Sequence, residues 1–363
     1  LDALPMSPTG KVDRKALPAP DAAAAGLDGY EAPRDELEAR LVALWEELLG
    51  VQPVGVRSDF FELGGHSLLA AGLMARIHEQ FGRSLPVATL FQGATVEHLA
   101  RRLREEAVAP PDAPVVSLNA GGTRPPFFCV HAVGGGVLSY AALARALGPE
   151  QPFHALQAPG IDGAREPLAS IEALAARHLE TVRRLQPHGP YRLGGWSFGG
   201  VVALEMARQL QEQGEQVDTL ALIDSHLPPA RQDAPAPSAE DLQALFLRDL
   251  VRTREERATL APEQLQPLRR VFDSHMQALR AYTPRSHAGR LLLLRAAEHL
   301  ERERSTPDRG FAALATEGVD VEVVPGDHYT LLQPPQVEHL AKRLAEYLER
   351  NLVADPKKTG MAR

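Results

Sequence analysis

The chain has 363 residues, enough for two domains, and 44% of them are hydrophobic against 24% charged, which supports packed cores and excludes global disorder. A formal net charge of −8 without a basic face argues against nucleic-acid binding, and no apolar run is long enough to span a bilayer. The single cysteine, Cys129, excludes an internal disulfide and suits a reducing cytoplasm.

The opening stretch, LDALPMSPTGKVDRKALPAP, has neither the basic start nor the apolar middle of a signal peptide, and no initiating Met precedes it. It reads as a cut inside a longer protein. Pro, Ala and Gly cluster at 17–29, 108–114 and 227–237, where extended, poorly packed backbone marks boundaries. The expected division is a short piece at 1–21, a small domain at 30–107, a linker at 108–114 and a large domain at 115–355.

The small domain reads as helices. Leu37, Leu41, Leu44 and Leu48 repeat at helical spacing with Trp45 beside them, and Gly50 stands where that helix should stop. A second helix is expected from Ser67, with Leu68, Leu69, Leu73 and Ile77 on its faces, and a third from Thr95, carrying Val96, Leu99 and Leu103. Gly64 and Gly65 predict a bend just before Ser67. A serine there can be a plain helix cap, but a small helical domain with its own linkers and no pocket-sized core suits a carrier better than an enzyme.

The large domain alternates strand and helix. Strands are expected at 115–120, 126–132, 153–158, 190–196, 219–224, 290–296 and 320–326, with helical patterns at 168–186 and 199–213 between them. Short apolar runs separated by amphipathic helices predict a mostly parallel sheet covered on both faces. Residues 228–288 break the alternation. They hold no strand but two amphipathic patterns, one through Leu242, Leu245, Phe246 and Leu250, the other through Leu268, Phe272, Met276 and Leu279. Ser238 with Asp241 forms a capping-box signal for the first. An insertion of this size reads as a lid, with Leu245, Phe246, Phe272 and Met276 as its apolar roof or as ordinary packing.

The sharpest local signal is Gly195-Trp196-Ser197-Phe198-Gly199, which follows a strand and opens a helix. That context gives G-x-S-x-G its meaning, because the serine must project from a tight strand-to-helix turn while small neighbours let backbones pass close by. A hydroxyl needs a base to become a nucleophile, and that base needs an orienting acid. In this fold class the order is Ser, acid, His. Asp224, 27 residues on at the end of the next strand, is the expected acid, with Asp327 as its competitor. His328, after the last strand, is the expected general base. His131 precedes the serine in the chain, the wrong order, and His226 lies too near Asp224 in sequence to face it. The developing oxyanion needs donors, and the backbone N–H groups of Phe198 and of Val133, in the HAVGGG turn, are the candidates. The same glycines could form a phosphate loop, but neither G-x-G-x-x-G nor the Walker pattern is present. Cys129 reads as a small core residue, and no metal site is expected.

These residues carry resemblances. DFFELGGHSLL resembles the attachment site of peptidyl carrier proteins, which implies a small four-helix carrier bundle over 30–107 with 4′-phosphopantetheine carried on Ser67. LPMSPTGKVDRKALP is similar to the last motif of nonribosomal peptide adenylation domains, with Lys11 at that motif's lysine; without the rest of that domain, Lys11 is expected to have no adenylating role here. GWSFGG, ALIDS, GDHYTLL and HAVGGG resemble the catalytic regions and oxyanion turn of type I thioesterases, an α/β-hydrolase family. Ala132 departs from that pattern, where many relatives have proline after the histidine. Together the resemblances imply the terminal module of a nonribosomal peptide synthetase. A phosphopantetheinyl transferase with coenzyme A would prime Ser67, and upstream condensation and adenylation domains would deliver the peptidyl chain. The thioesterase, with its lid at about 228–288, would release that chain through an ester on Ser197 by hydrolysis or macrocyclisation. The linker would be a semi-extended tether of about 3.1 Å per residue, roughly 20 Å in all. The alternatives are an editing thioesterase, an esterase and a non-catalytic docking scaffold.

Overall fold

The computed structural model of the chain describes residues 30–65, 67–83, 85, 89–105, 115–161, 163, 165–228, 237–250, 262–299 and 306–353. The adenylation-like tail with Lys11, His66 and the linker at 108–114 lie outside them. The chain divides into two compact units at residues 108/109.

In the first unit, α1 (Glu36–Leu49), α2 (Ser67–Phe81), α3 (Thr89–Gln92) and α4 (Val96–Arg104) share one core. The caps follow from the sequence. Asp35 accepts from the Glu38 N–H to start α1, Gly50 at φ 65° ends it, and Thr95 accepts from the His98 N–H to start α4. Trp45 is fully buried and meets Phe60 edge-on at 5.1 Å between ring centroids. Phe60 in turn fixes the bend before α2. Its carbonyl accepts from the Gly65 N–H at 2.8 Å, and a Cβ on Gly65 would lie 2.3 Å from its ring. Only glycine fits there, and the chain turns at once into the helix that Ser67 opens.

The second unit is a seven-stranded sheet in the order β1-β3-β2-β4-β5-β6-β7. The strands are β1 (Val115–Asn119), β2 (Phe127–Val130), β3 (Phe153–Leu156), β4 (Tyr191–Trp196), β5 (Val217–Ile223), β6 (Leu291–Ala296) and β7 (Val319–Val324). All neighbours pair in parallel except β1, which runs antiparallel to β3 at one edge. β2, β4 and β6 are buried at every position, as expected of central parallel strands covered on both faces. The covering helices are α5 (Ala141–Ala146), α6 (Ile171–Leu185), α7 (Phe198–Glu212) and, after β7, α10 (Gln336–Val353). Between β5 and β6 stand α8 (Ala239–Leu250) and α9 (Pro262–Ala281). The capping box at the start of α8 forms as expected, with Asp241 N donating to Ser238 Oγ and Ser238 N to Asp241 Oδ2. Phe246 and Phe272 meet at 5.4 Å and join the main core, Met276 packs against it, and Leu245 stays exposed.

The parallel order matters for chemistry. It brings the C-terminal ends of β2, β4, β5 and β7 to one edge of the sheet, and each end runs into one of the segments singled out from the sequence.

Candidate active site

Ser197 sits between β4 and α7 at φ 57° and ψ −119°, a strained backbone for a residue with a side chain. The strain is held by backbone packing on either side. A Cβ on Gly195 would lie 2.2 Å from the Gly199 carbonyl carbon, and one on Gly199 would lie 2.3 Å from the Val130 oxygen and 2.5 Å from that of His131. A Cβ on Gly200 would strike the Ser225 hydroxyl at 2.0 Å. The glycines around Ser197 therefore let the ends of β2 and β4 meet the start of α7 backbone to backbone, with the Ser225 side chain after β5 packed against Gly200. The Ser197 N–H is tied to the Ile223 carbonyl at the end of β5.

Asp224 follows β5 directly, also at positive φ (45°), and is fully buried. One carboxylate oxygen, Oδ2, meets His328 Nδ1 at 2.7 Å. The other, Oδ1, accepts from the Ala296 N–H at 2.9 Å and pairs with Arg309 Nη1 at 2.9 Å. Burial by itself would raise the carboxyl's pKa. The His328 hydrogen bond, the Arg309 charge and the Ala296 amide outweigh it and hold the group well below the usual carboxylate range, so Asp224 is a permanent anion. Such an anion can accept only, so His328 presents Nδ1–H to it and keeps Nε2 as the basic nitrogen.

His328 is pinned a second time by the residue before Ser197. The Trp196 indole N–H donates to the His328 carbonyl at 3.1 Å, and the two rings lie 5.1 Å apart. The competing Asp327 has a different occupation. Its Oδ1 accepts from the backbone N–H groups of Tyr329 and Thr330 and from the Thr330 hydroxyl, closing the turn that presents His328. His226 lies 6.5 Å from His328 between ring centroids, but Asp224 Oδ2 engages His328. His131 is fully buried, with Nδ1 on the Ala132 carbonyl at 2.7 Å.

Val133 follows β2 in a turn closed by the Gly135 N–H on the Ala132 carbonyl at 2.9 Å, with Gly135 at φ 82°. Phe198 opens α7, and its ring stacks near that of His131 at 5.9 Å. Cys129 is buried inside β2 and its thiol pKa is pushed up by burial, which suits packing rather than chemistry. Among the described residues no group of His, Cys, Asp and Glu could hold a metal ion. Ser67 opens the 15-residue α2, where the free backbone N–H groups of a helix start favour an anion such as a phosphate.

Sequence reasoning missed three participants. Arg309 neutralises Asp224 from a distant loop with no motif of its own. Tyr140 donates its hydroxyl to the Val130 carbonyl at 2.6 Å and accepts from the Trp196 N–H at 2.9 Å, bridging β2 and β4 just below the site. His275 in α9 reaches the Val133 carbonyl. In each case the partner is far along the chain, so spacing carried no signal.

Comparison with known proteins assigns residues 39–103 to the phosphopantetheine attachment site family and 125–348 to the thioesterase domain family. A dimodular nonribosomal peptide synthase of Bacillus subtilis is 35% identical over 373 residues, covering 95% of this chain and 15% of its own length. A crystallised four-domain nonribosomal peptide synthetase bound to AMP and glycine is 31% identical with a TM-score of 0.60, over 95% of this chain and 28% of that one. The NocB thioesterase domain, solved as a covalent complex with a fluorophosphonate nocardicin G analogue, is 32% identical with a TM-score of 0.54, over 64% of this chain and 99% of that one. The chain spans between 4% and 15% of the length of the four synthetases it matches first.

Proposed function

The chain belongs to the thioesterase domain family and carries a phosphopantetheine attachment domain ahead of it, and on that premise we propose that it is the carrier-and-release didomain of a nonribosomal peptide synthetase. The observation that carries this reading is the Asp224–His328 hydrogen bond of 2.7 Å beside a serine held at positive φ. Ser197 is the nucleophile, His328 the general base and then acid, and Asp224 the anion that fixes the imidazole tautomer and stabilises the imidazolium. The N–H groups of Val133 and Phe198 receive the oxyanion. The domain is an α/β-hydrolase whose lid is built from α8 and α9, and the small domain is a four-helix carrier.

When attached to Ser67, phosphopantetheine supplies a thiol that holds the acyl chain as a thioester. Ser67, after a bend that only glycine permits and at the start of a long helix, is suitably placed to take it. Ser197 Oγ then attacks the acyl carbonyl as His328 Nε2 takes its proton. His328 returns that proton to the departing thiol, leaving the chain as an ester on Ser197. A second nucleophile, water or a group of the chain itself, is deprotonated by His328 and releases it. The partners are a phosphopantetheinyl transferase with coenzyme A, which primes Ser67, and condensation and adenylation domains of the same synthetase, which supply the peptidyl chain. The carrier at 30–107, the tether at 108–114 and the thioesterase at 115–355 divide that work, and the tail at 1–21 is the end of the adenylation domain before them. The buried Cys129 suits a reducing cytoplasm. A carrier fused to the thioesterase argues against an editing enzyme.

The test is labelling with a serine-directed fluorophosphonate. The chain should gain one adduct, on Ser197, and Ser197→Ala none. A wild-type chain left unlabelled overturns the catalytic reading.

A further inference from the structure

The turn that carries Val133 is held from two sides by residues of the two helices inserted between β5 and β6. His275 of α9 places Nδ1 2.7 Å from the Val133 carbonyl. A carbonyl only accepts, so Nδ1 carries the proton and donates it. Asp249, in the last turn of α8, accepts from the Gly134 N–H, and its Oδ2 lies 2.2 Å from where a Cβ on Gly134 would stand. The Val133 C=O and the Gly134 N–H are the two ends of one planar peptide unit. One helix therefore grips each end of the same peptide bond, directly after the Val133 N–H.

The same His275 ring stacks on Phe198 at 4.8 Å and 19° and on His131 at 4.9 Å and 15°. It thus touches both residues whose N–H groups would face the oxyanion, one by a hydrogen bond and one by stacking. His131 completes the arrangement with Nδ1 on the Ala132 carbonyl, the oxygen end of the peptide unit whose N–H is that of Val133. Burial keeps His275 neutral, with its pKa lowered to about 4, so it stays a single-proton donor at neutral pH. The same burial pushes the Asp249 carboxyl up to about 6. An acid in the last turn of a helix also faces the negative end of the helix dipole. Neither placement favours α8 as a helix, which points to a role outside it.

We propose that His275 and Asp249 are positioning residues that set the oxyanion turn from the lid, so that the turn is fully aligned only when α8 and α9 are seated. The proposal rests on the assignment of Val133 and Phe198 as oxyanion donors. It explains why two polar side chains from the insertion meet at one peptide bond, when apolar packing would have held the lid as well. The chemistry depends on the turn because donors must stand within a few tenths of an ångström of the developing oxyanion.

The test uses the full chain with a short acyl thioester and the fluorophosphonate. His275→Leu removes the donor, whereas His275→Asn can keep an N–H near the Nδ1 position. His275→Leu should lower kcat and the rate of Ser197 labelling on the order of tenfold, with KM changed by less than about twofold. His275→Asn should recover most of that loss. Asp249→Leu should lower kcat in the same way and Asp249→Asn, which keeps an acceptor oxygen, should not. That second pair decides the matter if His275→Leu does not fold. Wild-type rates in both leucine variants, or asparagine variants as slow as the leucine ones, overturn the proposal. An unlabelled wild-type chain overturns the underlying catalytic reading instead.

Discussion

Replacing Asp224 with Asn is the substitution whose consequences the geometry defines most closely. The carboxylate has three donors around it: His328 Nδ1 at 2.7 Å, Ala296 N at 2.9 Å and Arg309 Nη1 at 2.9 Å. An amide offers one acceptor oxygen and one NH2. The Ala296 amide and the Arg309 guanidinium can only donate, so they take the oxygen and the NH2 is left facing His328. The imidazole must then accept at Nδ1 and carry its proton on Nε2, where it cannot act as a base toward Ser197. A wrong tautomer of this kind lowers kcat by about 10⁴ in a comparable triad. The substitution also removes the carboxylate charge that faces Arg309, whose side chain is 3% exposed. Breaking one side of a buried ion pair costs about 3–5 kcal/mol, so the second unit should unfold at clearly lower denaturant. Single-turnover release of an acyl thioester and urea unfolding measure the two effects separately. The control is Asp327→Asn, whose oxygen can still accept from Tyr329 and Thr330, and which should lose far less activity. An Asp224→Asn chain within tenfold of wild-type kcat, or an Asp327→Asn chain that is the more damaged, would refute the reasoning.

Gly199→Ala should be severe, because its Cβ would meet two backbone oxygens of the β2 end that cannot rotate away. Overpacking of this kind costs about 1–3 kcal/mol, and displacing that backbone should lower Ser197 labelling as well; a thermal scan and the labelling rate check both. Acid should destabilise the second unit through its buried histidines. Burial lowers His131, His178 (to about 3) and His275 (to about 4), so between about pH 6.5 and 4 the unfolded chain binds protons there that the folded chain refuses, and stability falls as pH falls. Asp249, raised to about 6, titrates the opposite way and offsets one of the three. Urea unfolding across that range should show a slope that His178→Leu reduces by about 1.4 kcal/mol per pH unit, and an unchanged slope contradicts the assignment. In the first unit, Trp45→Ala empties the centre of the core and should cost about 3–5 kcal/mol, read by thermal melting. Ser67→Ala should abolish attachment of phosphopantetheine by a transferase and leave Ser197 labelling intact, both visible by intact-mass measurement.

Where local chemistry decides the structure, the sequence could be read directly. Gly50, Thr95 and the Ser238–Asp241 pair end or start helices because caps act within four residues. The seven strands follow from short apolar runs, and the turn at Ser197 from glycines that no larger residue can replace. Asp224 and His328 were legible because parallel topology sends strand ends to one edge. Their partners were not. Arg309 (to the Ser225 carbonyl, next to Asp224), Tyr140 (to Trp196) and His275 (to Val133) contribute through contacts spanning 84, 56 and 142 residues, and nothing in their own neighbourhoods marks them. The short helices α3 and α5 escaped for a related reason: four and six residues carry too little periodicity to stand out.

The central claim is a relay from Ser67 to Ser197. An acyl-phosphopantetheine loaded onto Ser67 can be followed on the intact chain by mass spectrometry, with Ser197→Ala alongside. The account predicts that the acyl mass leaves Ser67, is found transiently as an ester on Ser197, and ends in a released product, while in Ser197→Ala it stays on Ser67. An acyl group that remains on Ser67 of the wild-type chain over several chain lengths, or leaves both chains at the same rate, would contradict it.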